Sequence, residues 1–472
     1  MKIGLLLEKL IDTAQTTKTD FALNMNMTPS GLSKILKGAR LPFIKEKRSF
    51  SRQAAAYFAE SLYSYCCYLK FLPLFPVIYD FSSKYELEMF LSCALEYALD
   101  KDYEDENDGN PVLSDREASI LGSKNIINLF CVLVSDHITS KNDIPLEFFS
   151  TLPLMDPLYF DIFQRIKITD TKKQDNVPFN HFIHMSCLEP SGPDYHLSTL
   201  TAIAKAQKHL DLNLWEINEE TGSPFLLLKD QFLMLFCIQL DGTPLMTFIT
   251  QKSYLTTFYN SLIRKKIRKI SYDGNEARAA LIKDPSLLSR LTNGAVDAVY
   301  NFISIGYLIH ENELKEINID TGIKKAILNL FHGILTEETE FYVNIDAMIG
   351  FQSSGHAIIP LLGTIDIPPE KRIPYLKRFD SYIHKDKINH IRVVNSEFPK
   401  VAVLCAKEMS IIYLTDDDSE KIHYFKTDII NNHLKTVITE SNMKLVHFSV
   451  DLWNSFLAEM SKDFRNVSYS NT

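Results

Sequence analysis

The stretch from Thr17 to Arg40, TKTDFALNMNMTPSGLSKILKGAR, contains the residues that decide the N-terminal fold. Thr17 is predicted to cap a helix, and Asp20 follows three residues later, where a capping-box acid belongs. Thr28 and Pro29 predict a second helix start, because a hydroxyl caps free N–H groups and proline loses no hydrogen bond at the first helical position. Residue types at the first turns therefore predict two short helices in succession.

The second of these helices is predicted to run to Lys37 and to stop at Gly38, the residue type that best accepts a left-handed conformation. Its apolar residues, which should face inward, are Leu32, Ile35 and Leu36. Its other faces carry small, polar or basic residues, namely Ser30, Gly31, Ser33, Lys34 and Lys37. Small residues would let this helix approach base edges, and basic residues including Arg40 would neutralise phosphates.

An amphipathic helix is predicted before this stretch and another after it. Apolar residues recur at helical spacing at Ile3, Leu6, Leu7, Leu10 and Ile11. The alanine-rich range Ser51–Tyr65 has the same period. Between the two central helices lies the tight turn Asn26-Met27. Two short helices joined in this way predict a helix-turn-helix.

This stretch resembles the helix-turn-helix of the lambda-repressor/Cro-like (XRE) transcriptional regulators. That family typically begins its second helix with Thr-Gln and an acid-Leu-Ala step, where this chain has Thr17-Lys18 and Asp20-Phe21-Ala22. The positions that match its recognition helix, typically Ser-x-Ser-x-Ile-Ser-x-Ile followed by Gly and a basic residue, are Thr28, Ser30, Leu32, Ser33, Ile35, Gly38 and Arg40. The resemblance covers about the first 65 residues and implies an all-α, five-helix DNA-binding domain.

Two positions depart from the family pattern. Lys18 stands where the family commonly has glutamine, so any contact of that glutamine is not carried over. Asn26 stands where the family usually has glycine in the turn, and asparagine tolerates the positive φ that such a turn needs.

Charge is distributed unevenly along the chain. The whole sequence has a net charge of −9, which by itself argues against nucleic acid as a partner. Residues 1–70, however, hold 11 basic and 5 acidic residues, a charge of +6, and the remainder holds 39 basic and 54 acidic residues, a charge of −15. A basic end on an acidic body is typical of a nucleic-acid-binding module attached to something else.

Composition indicates an ordinary globular protein. The 472 residues are 46% hydrophobic and 23% charged, which excludes wholesale disorder and coiled-coil architecture and suggests two to four domains. The longest stretch without charge, Ala347 to Ile365, has a polar middle, and Glu8 interrupts the apolar N-terminus. Seven cysteines without a CxxC pair favour reduced thiols. We therefore expect a cytoplasmic protein without a membrane span.

The rest of the chain is predicted to be a large helical and mixed α/β body, so the fold class is α+β. We divide the chain into residues 1–68 (helix-turn-helix domain), 69–170 (helical region), 171–285 (α/β module), 286–335 (helical region) and 336–472 (C-terminal α/β module). The units at about 224–265 and 400–440 share hairpin, strand and helix in the same order, which suggests a degenerate internal repeat.

Several elements of the body are predicted individually. The strands are Phe225–Leu228, Phe232–Leu240, Leu245–Thr250, Glu340–Ile349, Ala357–Ile365, His390–Val394, Lys400–Cys405, Met409–Leu414 and Lys421–Phe425. The helices are Lys84–Leu99, Ser114–His137, Leu146–Ile166, Leu197–Leu210, Tyr254–Lys265, Pro285–His310, Asp320–Leu335, Asp428–Glu440 and Val450–Phe464. The acidic run Asp100–Pro111 is predicted to be a solvated loop, because an EF-hand would need glycine where Asp105 stands.

No motif in the body indicates chemistry. His181-x-x-His184-x-x-Cys187 would not place three metal ligands on one helix face, so structural histidines are the better interpretation. The run Ser353-Ser354-Gly355-His356 lacks the Gly-x-Ser-x-Gly elbow, because Phe351 occupies the first glycine position, and a β-turn is favoured there. No phosphate-binding glycine loop occurs. We therefore predict no catalytic residues, no metal site and no cofactor.

The combined prediction is a sequence-specific transcriptional regulator, not an enzyme, that binds double-stranded DNA as a homodimer. The DNA-binding residues are predicted to be Lys18, Thr28, Pro29, Ser30, Gly31, Ser33, Lys34, Lys37 and Arg40. The body would supply dimerisation and sense a small-molecule or protein effector. Two alternatives stay open: an enzyme or defence-type effector that uses the helix-turn-helix for targeting or autoregulation, and a protein-interaction module in a larger assembly.

Overall fold

The computed structural model is described for the following residues: 1–64, 70, 73–76, 81–106, 119–139, 146–152, 178–184, 211–217, 222–264, 267–283, 296–303, 306–315, 317–336, 339–359, 363–379, 391–395, 401–406, 409–416, 419–425, 444–447 and 450–469. Two compact units are formed. The first contains residues 1–182, 209–212 and 220–265, and the second contains residues 183–208, 213–219 and 266–472. The α+β class is confirmed, with a helical N-terminal region followed by mixed helices and sheets.

Helices dominate the beginning of the first unit. They are α1 (Ile3–Thr13), α2 (Lys18–Asn24), α3 (Pro29–Leu36), α4 (Lys47–Ser64), α5 (Lys84–Glu106) and α6 (Ser123–Thr139), with a 3-10 turn at Ile44–Glu46. Aromatic rings fill the space between them: Phe21 stacks on Phe58 with 4.7 Å between centroids, and Phe75 meets Phe90 edge-on at 5.0 Å. The helix that follows α4, namely α5, lies beyond the predicted domain boundary at residue 68 and packs along α4.

The first unit also contains a sheet. Its strands are β1 (Ser119–Leu121), β2 (Phe148–Ser150), β3 (Pro178–His184), β5 (Phe225–Leu228), β6 (Phe232–Ile238) and β7 (Pro244–Ile249). They lie in the order β1-β7-β6-β5-β2-β3, antiparallel except for the parallel pair β2–β3. Helix α7 (Lys252–Arg264) follows β7. Strand β4 (Asp211–Ile217) pairs antiparallel with β8 (Ile267–Lys269).

The second unit is built on an eight-stranded sheet. Its strands are β9 (Ser271–Asp273), β10 (Val296–Asn301), β11 (Glu340–Asn344), β14 (Ile391–Asn395), β15 (Val401–Ala406), β16 (Met409–Asp416), β17 (Ser419–Phe425) and β18 (Lys444–His447). Their order is β9-β17-β16-β15-β10-β11-β14-β18, in which β10, β11 and β14 run parallel. A separate hairpin consists of β12 (His356–Ile359) and β13 (Gly363–Asp366).

Helices of the second unit pack on this sheet, and an apolar core lies between them. They are α8 (Gly274–Lys283), α9 (Thr321–Thr336), α10 (Ile345–Ser354), α11 (Pro369–Lys377) and α12 (Val450–Tyr469), with a 3-10 turn at Glu311–Leu314. Trp453 of α12 meets Phe379 at 5.6 Å, and Tyr307 contacts Phe331 and Phe341 edge-on. All of these rings belong to one buried cluster.

The two sheets share one topology, which extends the predicted internal repeat. In chain order, β1, α6, β2, β3 and then the meander β5-β6-β7 correspond to β9, α8, β10, β11 and the meander β15-β16-β17. Every pairing among the first set recurs in the second with the same orientation, including the edge pair β1–β7 against β9–β17. The antiparallel pair β4–β8 likewise matches β14–β18. The repeat therefore begins near residues 119 and 271, well before the segments in which the sequence indicated it.

The predicted strands of the meanders are confirmed to within two residues at each end. The turn at Asp241-Gly242-Thr243 is also confirmed, because Gly242 has a φ of +81° and Gln239 N–H donates to the Thr243 carbonyl at 2.9 Å. Residues 197–210 and 428–440, predicted as helices, and the capping box at Ser114 lie outside the described residues.

Other local predictions are wrong. Residues 148–150, predicted helical, form β2, and 296–301, predicted helical, form β10, so the regions 69–170 and 286–335 are not purely helical. Residues 345–349, predicted as the end of a strand, begin α10 instead. Both β2 and β10 are largely buried strands with neighbouring strands on either side, and such buried runs resemble buried helix segments in sequence.

The acidic run after Leu99 is helical as far as Glu106, so the predicted loop is wrong over residues 100–106. Its carboxylates have partners in the N-terminal helices. Asp100 accepts from the Lys47 Nζ at 2.8 Å, and Asp102 accepts from the Ile3 N–H at 2.9 Å. An acidic run stays in water when its carboxylates have no other partners. Here Lys47 and the Ile3 N–H replace water as partners of two carboxylates, so the segment can pack as a helix.

Candidate nucleic-acid interface

The ends of α2 and α3 are fixed by the residues that the sequence nominated. The Thr17 hydroxyl accepts from the Asp20 N–H at 3.0 Å, and the Thr28 hydroxyl accepts from the Gly31 N–H at 3.1 Å, so both N-caps are confirmed. Asp20 differs from a full capping box, because its carboxylate accepts from the Thr17 hydroxyl rather than from a backbone N–H. Pro29 occupies the first helical position, as predicted.

The first three helices all end in the same backbone motif. Gln15, Asn26 and Gly38 have φ values of +53°, +53° and +68°. In each case the next N–H donates back across the turn: Thr16 to Ile11, Met27 to Ala22 and Ala39 to Lys34. This is the Schellman motif, which satisfies carbonyls at the helix end. Asn26 therefore does adopt the positive φ that the family's glycine would allow.

Close packing of backbones fixes α3 on α1. A Cβ atom added to Gly4 of α1 would lie 2.2 Å from the Leu36 carbonyl oxygen and 3.2 Å from that of Ile35. No side chain fits between the two helices at this point. Gly4 is a residue whose role the sequence analysis missed, although a glycine inside a helical pattern indicates a close approach of this kind.

Helix α4 contacts α2 and the turn that precedes it. The Gln53 side-chain amide donates to the Asn24 carbonyl at 2.6 Å, at the C-terminal end of α2. The Tyr57 ring lies 5.4 Å from that of Phe21, and its hydroxyl is 2.6 Å from that of Thr16. The orientation of the helix-turn-helix therefore depends on α4, and α4 in turn packs along α5.

Except for Lys18, the predicted DNA-binding residues share one surface. Leu32 and Ile35 are buried, as predicted, and Leu36 is half-buried. Residues on the other faces of α3 and immediately around it are exposed, namely Thr28, Pro29, Ser30, Ser33, Lys34, Lys37 and Arg40, and Gly31 is half-buried among them. We call this set the outer face of α3. Lys18 is also exposed, but at the start of α2.

Intramolecular pairing neutralises some of the N-terminal cations. Lys18 pairs with Glu8 at 2.8 Å, Lys47 pairs with Asp100, and Lys2 bonds to Asp105 and Asp102, which raises the pKa of the Lys2 ammonium. Lys18 is consequently a poorer phosphate ligand than predicted, although an exposed pair of this kind is weak and exchangeable. None of the ion pairs found within the described ranges involves Lys34, Lys37 or Arg40.

The outer face of α3 is thus a basic surface with hydroxyl groups. Lys34 and Lys37 offer ammonium groups, and Ser30 and Ser33 offer hydroxyls that can both donate and accept. Arg40 lies 5.7 Å from the centroid of the exposed Phe43 ring, which holds its guanidinium beside the end of α3. Phe43 did not stand out in the sequence, because one exposed aromatic residue is unremarkable without its neighbours.

The remaining sequence candidates do not form a second site. His181 and His184 lie on β3 and not on a helix, so three residues of spacing place them on opposite sides of the strand. His181 is buried, and burial lowers its pKa to about 3, as expected for a neutral structural histidine. Cys187 lies outside the described residues. Ser353 and Ser354 belong to the last turn of α10, not to a β-turn, and both donate to the Gly350 carbonyl.

The described part of the chain offers neither a metal cluster nor a membrane-spanning helix. It contains no group of three or more His, Cys, Asp or Glu side chains arranged to hold a metal ion. Nor does it contain a helix with the length and apolar character needed to cross a bilayer. Comparison with protein-family models, with curated proteins and with solved structures found no match to this chain.

Proposed function

We propose that this protein is a sequence-specific DNA-binding transcriptional regulator that reads DNA with its N-terminal helices. The observation that carries the proposal is the outer face of α3: a short helix, capped at both ends, that exposes lysines and serines while its apolar side packs on α1 and α2. This arrangement suits insertion into a major groove, whose width of about 12 Å admits one helix. The resemblance to the XRE regulators supports the same interpretation.

Each group on the outer face of α3 would have a distinct task. The N-terminal end of α3, with Ser30, Gly31, Ser33 and Lys34, would face base edges, because recognition helices of this class place their first residues there. Lys37 and Arg40 would contact phosphates at the far end of the helix. Thr28 already uses its oxygen as a cap acceptor, so its hydroxyl proton would remain available for a phosphate.

A single module of this size buries little DNA surface, and we therefore propose that the regulator acts as a homodimer on a two-fold operator. Half-sites would then lie about 34–36 Å apart, one turn of the double helix. The two sheets and their helices would provide the dimer contacts and the effector site. We further propose a cytoplasmic location, where DNA is the available partner.

The test begins with selection of bound sequences from random DNA by the purified full-length chain. With the selected site, Lys34→Ala/Lys37→Ala should weaken binding and reduce the slope of log affinity against log salt by about 1, because Lys37 is the phosphate contact of the pair and Lys34 faces base edges. The matched control is Lys252→Ala/Lys283→Ala, which removes two exposed lysines elsewhere on the chain.

The variants Ser30→Ala and Ser33→Ala test whether these two serines read bases. If these residues read bases, their loss should relax specificity at one or two operator positions, each worth about 1–3 kcal/mol, with the salt slope unchanged. An unchanged affinity and salt slope in the double lysine variant would refute the proposed docking of α3. Selection of no sequence at all would refute sequence-specific binding.

A further inference from the structure

One long stretch of the acidic body carries positive charge only. Residues 242–272, between Asp241 and Asp273, hold six basic and no acidic residues. The rest of the body, residues 71–241 and 273–472, holds 33 basic and 54 acidic residues. A basic segment in such surroundings indicates a surface for an anionic partner. Its basic residues are Lys252, Arg264, Lys265, Lys266, Arg268 and Lys269, of which Lys265 and Lys266 lie outside the described residues.

Helix α7 presents part of this stretch on one coherent surface. Its apolar residues face the first sheet: Leu255 and Leu262 are buried, and the Phe258 ring meets that of Phe225 on β5 at 5.0 Å. The exposed positions fall on one arc of about 200°, because each residue of a helix advances by about 100°. These positions, which we call the exposed side of α7, are Lys252, Ser253, Tyr254, Thr256, Thr257, Asn260, Ser261, Ile263 and Arg264.

The exposed side of α7 carries cations and uncharged polar groups but no carboxylate. The ion pairs found around α7 in the described ranges join Lys229, Arg268 and Lys269 to glutamates, and none of them uses Lys252 or Arg264. These two cations stand at the first and last residues of the helix. They are therefore about 18 Å apart along its axis, which is the rise of about five base-pair steps of duplex DNA.

Helix α7 lies on the side of the first sheet away from the N-terminal helices. Phe148 and Phe149 are neighbours on β2, so their rings point to opposite faces of the sheet. Phe130 of α6 meets Phe148 at 6.3 Å, whereas Tyr259 of α7 meets Phe149 at 5.3 Å. Helix α6 packs on α5, which packs on α4 and α1, and a cavity of about 620 Å³ lies between α4, α5 and α6.

The second sheet shows that the shared topology does not require this charge. Between β7 and β8, residues 250–266 hold four basic and no acidic residues. The corresponding residues between β17 and β18, 426–443, hold two basic and two acidic residues. The same place in the repeat thus carries a charge of +4 in the first unit and 0 in the second. This difference favours a function that belongs to the first unit alone.

We propose that the exposed side of α7 binds the phosphate backbone of duplex DNA without reading its sequence. Lys252 and Arg264 would contact phosphates. Thr256 and Asn260, which lie between them at successive steps of four residues, would donate hydrogen bonds to phosphate oxygens, as hydroxyl and amide side chains do at DNA backbones. The proposal is independent of the outer face of α3.

Other anionic partners fit the exposed side of α7 less well. Binding at an anionic membrane surface needs an apolar helix face, and the apolar residues of α7 are already packed on the first sheet. Single-stranded nucleic acid relies on successive stacking rings, and Tyr254 is the one ring among the exposed positions of α7.

Binding of an unrelated duplex by the full chain tests this surface. The background is Lys34→Ala/Lys37→Ala, which weakens the contribution of α3, and the probe is a short fluorescent duplex of random sequence, followed by anisotropy at several salt concentrations. Adding Lys252→Ala/Arg264→Ala should weaken binding and reduce the slope of log affinity against log salt by about 2, because two phosphate contacts are lost.

The matched control for this test is Lys371→Ala/Lys377→Ala, which removes the same charge from exposed positions of α11 in the second unit. It should leave affinity and slope unchanged. Unaltered affinity and slope in the Lys252→Ala/Arg264→Ala protein, or an equal loss in the control, overturns the proposal.

Competition separates duplex DNA from the other anions. Polyglutamate and phosphatidylserine vesicles should each displace the fluorescent duplex less than unlabelled duplex does at the same concentration of negative charge. The reason is that duplex DNA carries one charge per about 1.7 Å of axis and releases counterions when it binds. Displacement by polyglutamate equal to that by DNA would indicate an acidic protein partner, and equal displacement by vesicles a membrane. Either result overturns the proposal.

A consequence for the regulator rests on the proposed function. Because α7 and the N-terminal helices lie on opposite sides of the first sheet, we expect one chain to hold an operator duplex at α3 and a second duplex at α7. Immobilised operator should therefore retain a labelled unrelated duplex when the protein is present. Lys252→Ala/Arg264→Ala should lose the second duplex while affinity for the operator stays unchanged.

Retention of the second duplex by this variant, or loss of the operator as well, overturns the simultaneous binding of two duplexes. Failure to select any operator refutes the proposed function. The anisotropy measurement then still decides whether the exposed side of α7 binds DNA.

Discussion

The N-terminal helices α1–α4 and the two sheets are held together by contacts of different range. Helices α1–α3 have 7 to 11 residues each, and helices this short are unstable alone in water. They rely on caps, on turns and on close packing with one another. The sheets instead join strands distant in sequence, as β9 and β17 do when Ser271 pairs with His423.

The difference explains why the outer face of α3 depends on a helix outside the motif. The contacts that join the N-terminal region to α5 include the Lys47–Asp100 ion pair, the Ile3 N–H to Asp102 hydrogen bond, and the Tyr103 hydroxyl, which donates to the Pro42 carbonyl at 2.7 Å. The pKa of Tyr103 is raised to about 12, chiefly by burial. The structure therefore extends the N-terminal helical region to at least Glu106.

The largest expected effect on stability comes from breaking the buried Lys47–Asp100 ion pair between α4 and α5. Lys47→Ala removes the ammonium group that donates to Asp100 at 2.8 Å, and removal of one partner of a buried ion pair typically costs about 3–5 kcal/mol. The side chains of Lys47 and Asp100 are 5% and 18% exposed. The loss of stability is measured as faster hydrogen exchange of the backbone amides in α1–α4, followed by mass spectrometry.

The matched control is Lys18→Ala, which breaks the exposed pair with Glu8. It should cost at most about 1 kcal/mol, because water and salt screen surface pairs. The double variant Lys47→Met/Asp100→Leu should recover much of the protection of these amides from exchange, since it replaces both charges of the pair with apolar side chains. If the α1–α4 amides are equally protected from exchange in Lys47→Ala and Lys18→Ala, the stability of the N-terminal helices does not depend on α5.

A smaller effect is expected from the contact between α1 and α3. Gly4→Ala places a methyl group against the Leu36 carbonyl, so the two helices must separate, at an expected cost of about 1–3 kcal/mol. Gly38→Ala meets open space and carries only the strain of its positive φ, about 1 kcal/mol. Urea denaturation followed by circular dichroism ranks the two variants.

Gly4→Ala should also weaken DNA binding more than Gly38→Ala, because it displaces α3 itself. A Gly4→Ala protein with unaltered stability and unaltered DNA affinity would contradict the close approach of these two backbones.

The remaining effect concerns a buried histidine of the first sheet and depends on pH. Below about pH 6.5 an unfolded chain protonates His181, whereas the folded chain, with a pKa of about 3, does not. The unfolded state then binds more protons, so stability falls as the pH drops from about 6.5 toward 3. His181→Gln should flatten this dependence in thermal melts recorded at about pH 7 and pH 5.

Tyr342 provides the comparison in the second sheet. It lies on β11, which occupies the place of β3 in the shared topology, and burial raises its pKa to about 12. Tyr342→Phe should therefore leave the acid dependence as it is in the unaltered chain. If His181→Gln retains the same slope as Tyr342→Phe, His181 does not carry the acid sensitivity of the first sheet.

Sequence patterns predicted elements well where neighbouring residues decide them. Thr17, Thr28, Pro29, Asn26 and Gly38 act through backbone groups a few residues away, and each does what its residue type implies. Prediction failed at β2 and β10, whose apolar residues fit a buried helix equally well. It also failed at Asp100 and Asp102, whose partners Lys47 and Ile3 are far away in the sequence.

The cavity between α4, α5 and α6 could not be found in the sequence for the same reason. Its charged end needs Arg48 and Arg52 opposite Glu96, and nothing in a one-dimensional pattern brings residues of two helices face to face. The spacing of Tyr85, Met89, Cys93 and Glu96 along α5 gives at most a stripe of mixed character.

The sequence by itself determined the first three helices, their caps and turns, the basic character of the N-terminal end and the strands of both meanders, because hydrogen bonds and periodicities within a few residues specify them. Only the tertiary structure decided the shared order of the two sheets, the contact of Gly4 with Leu36, the ties to α5 and the cavity beside it. These features depend on which distant residues meet, and that is settled by packing and pairing of the folded chain.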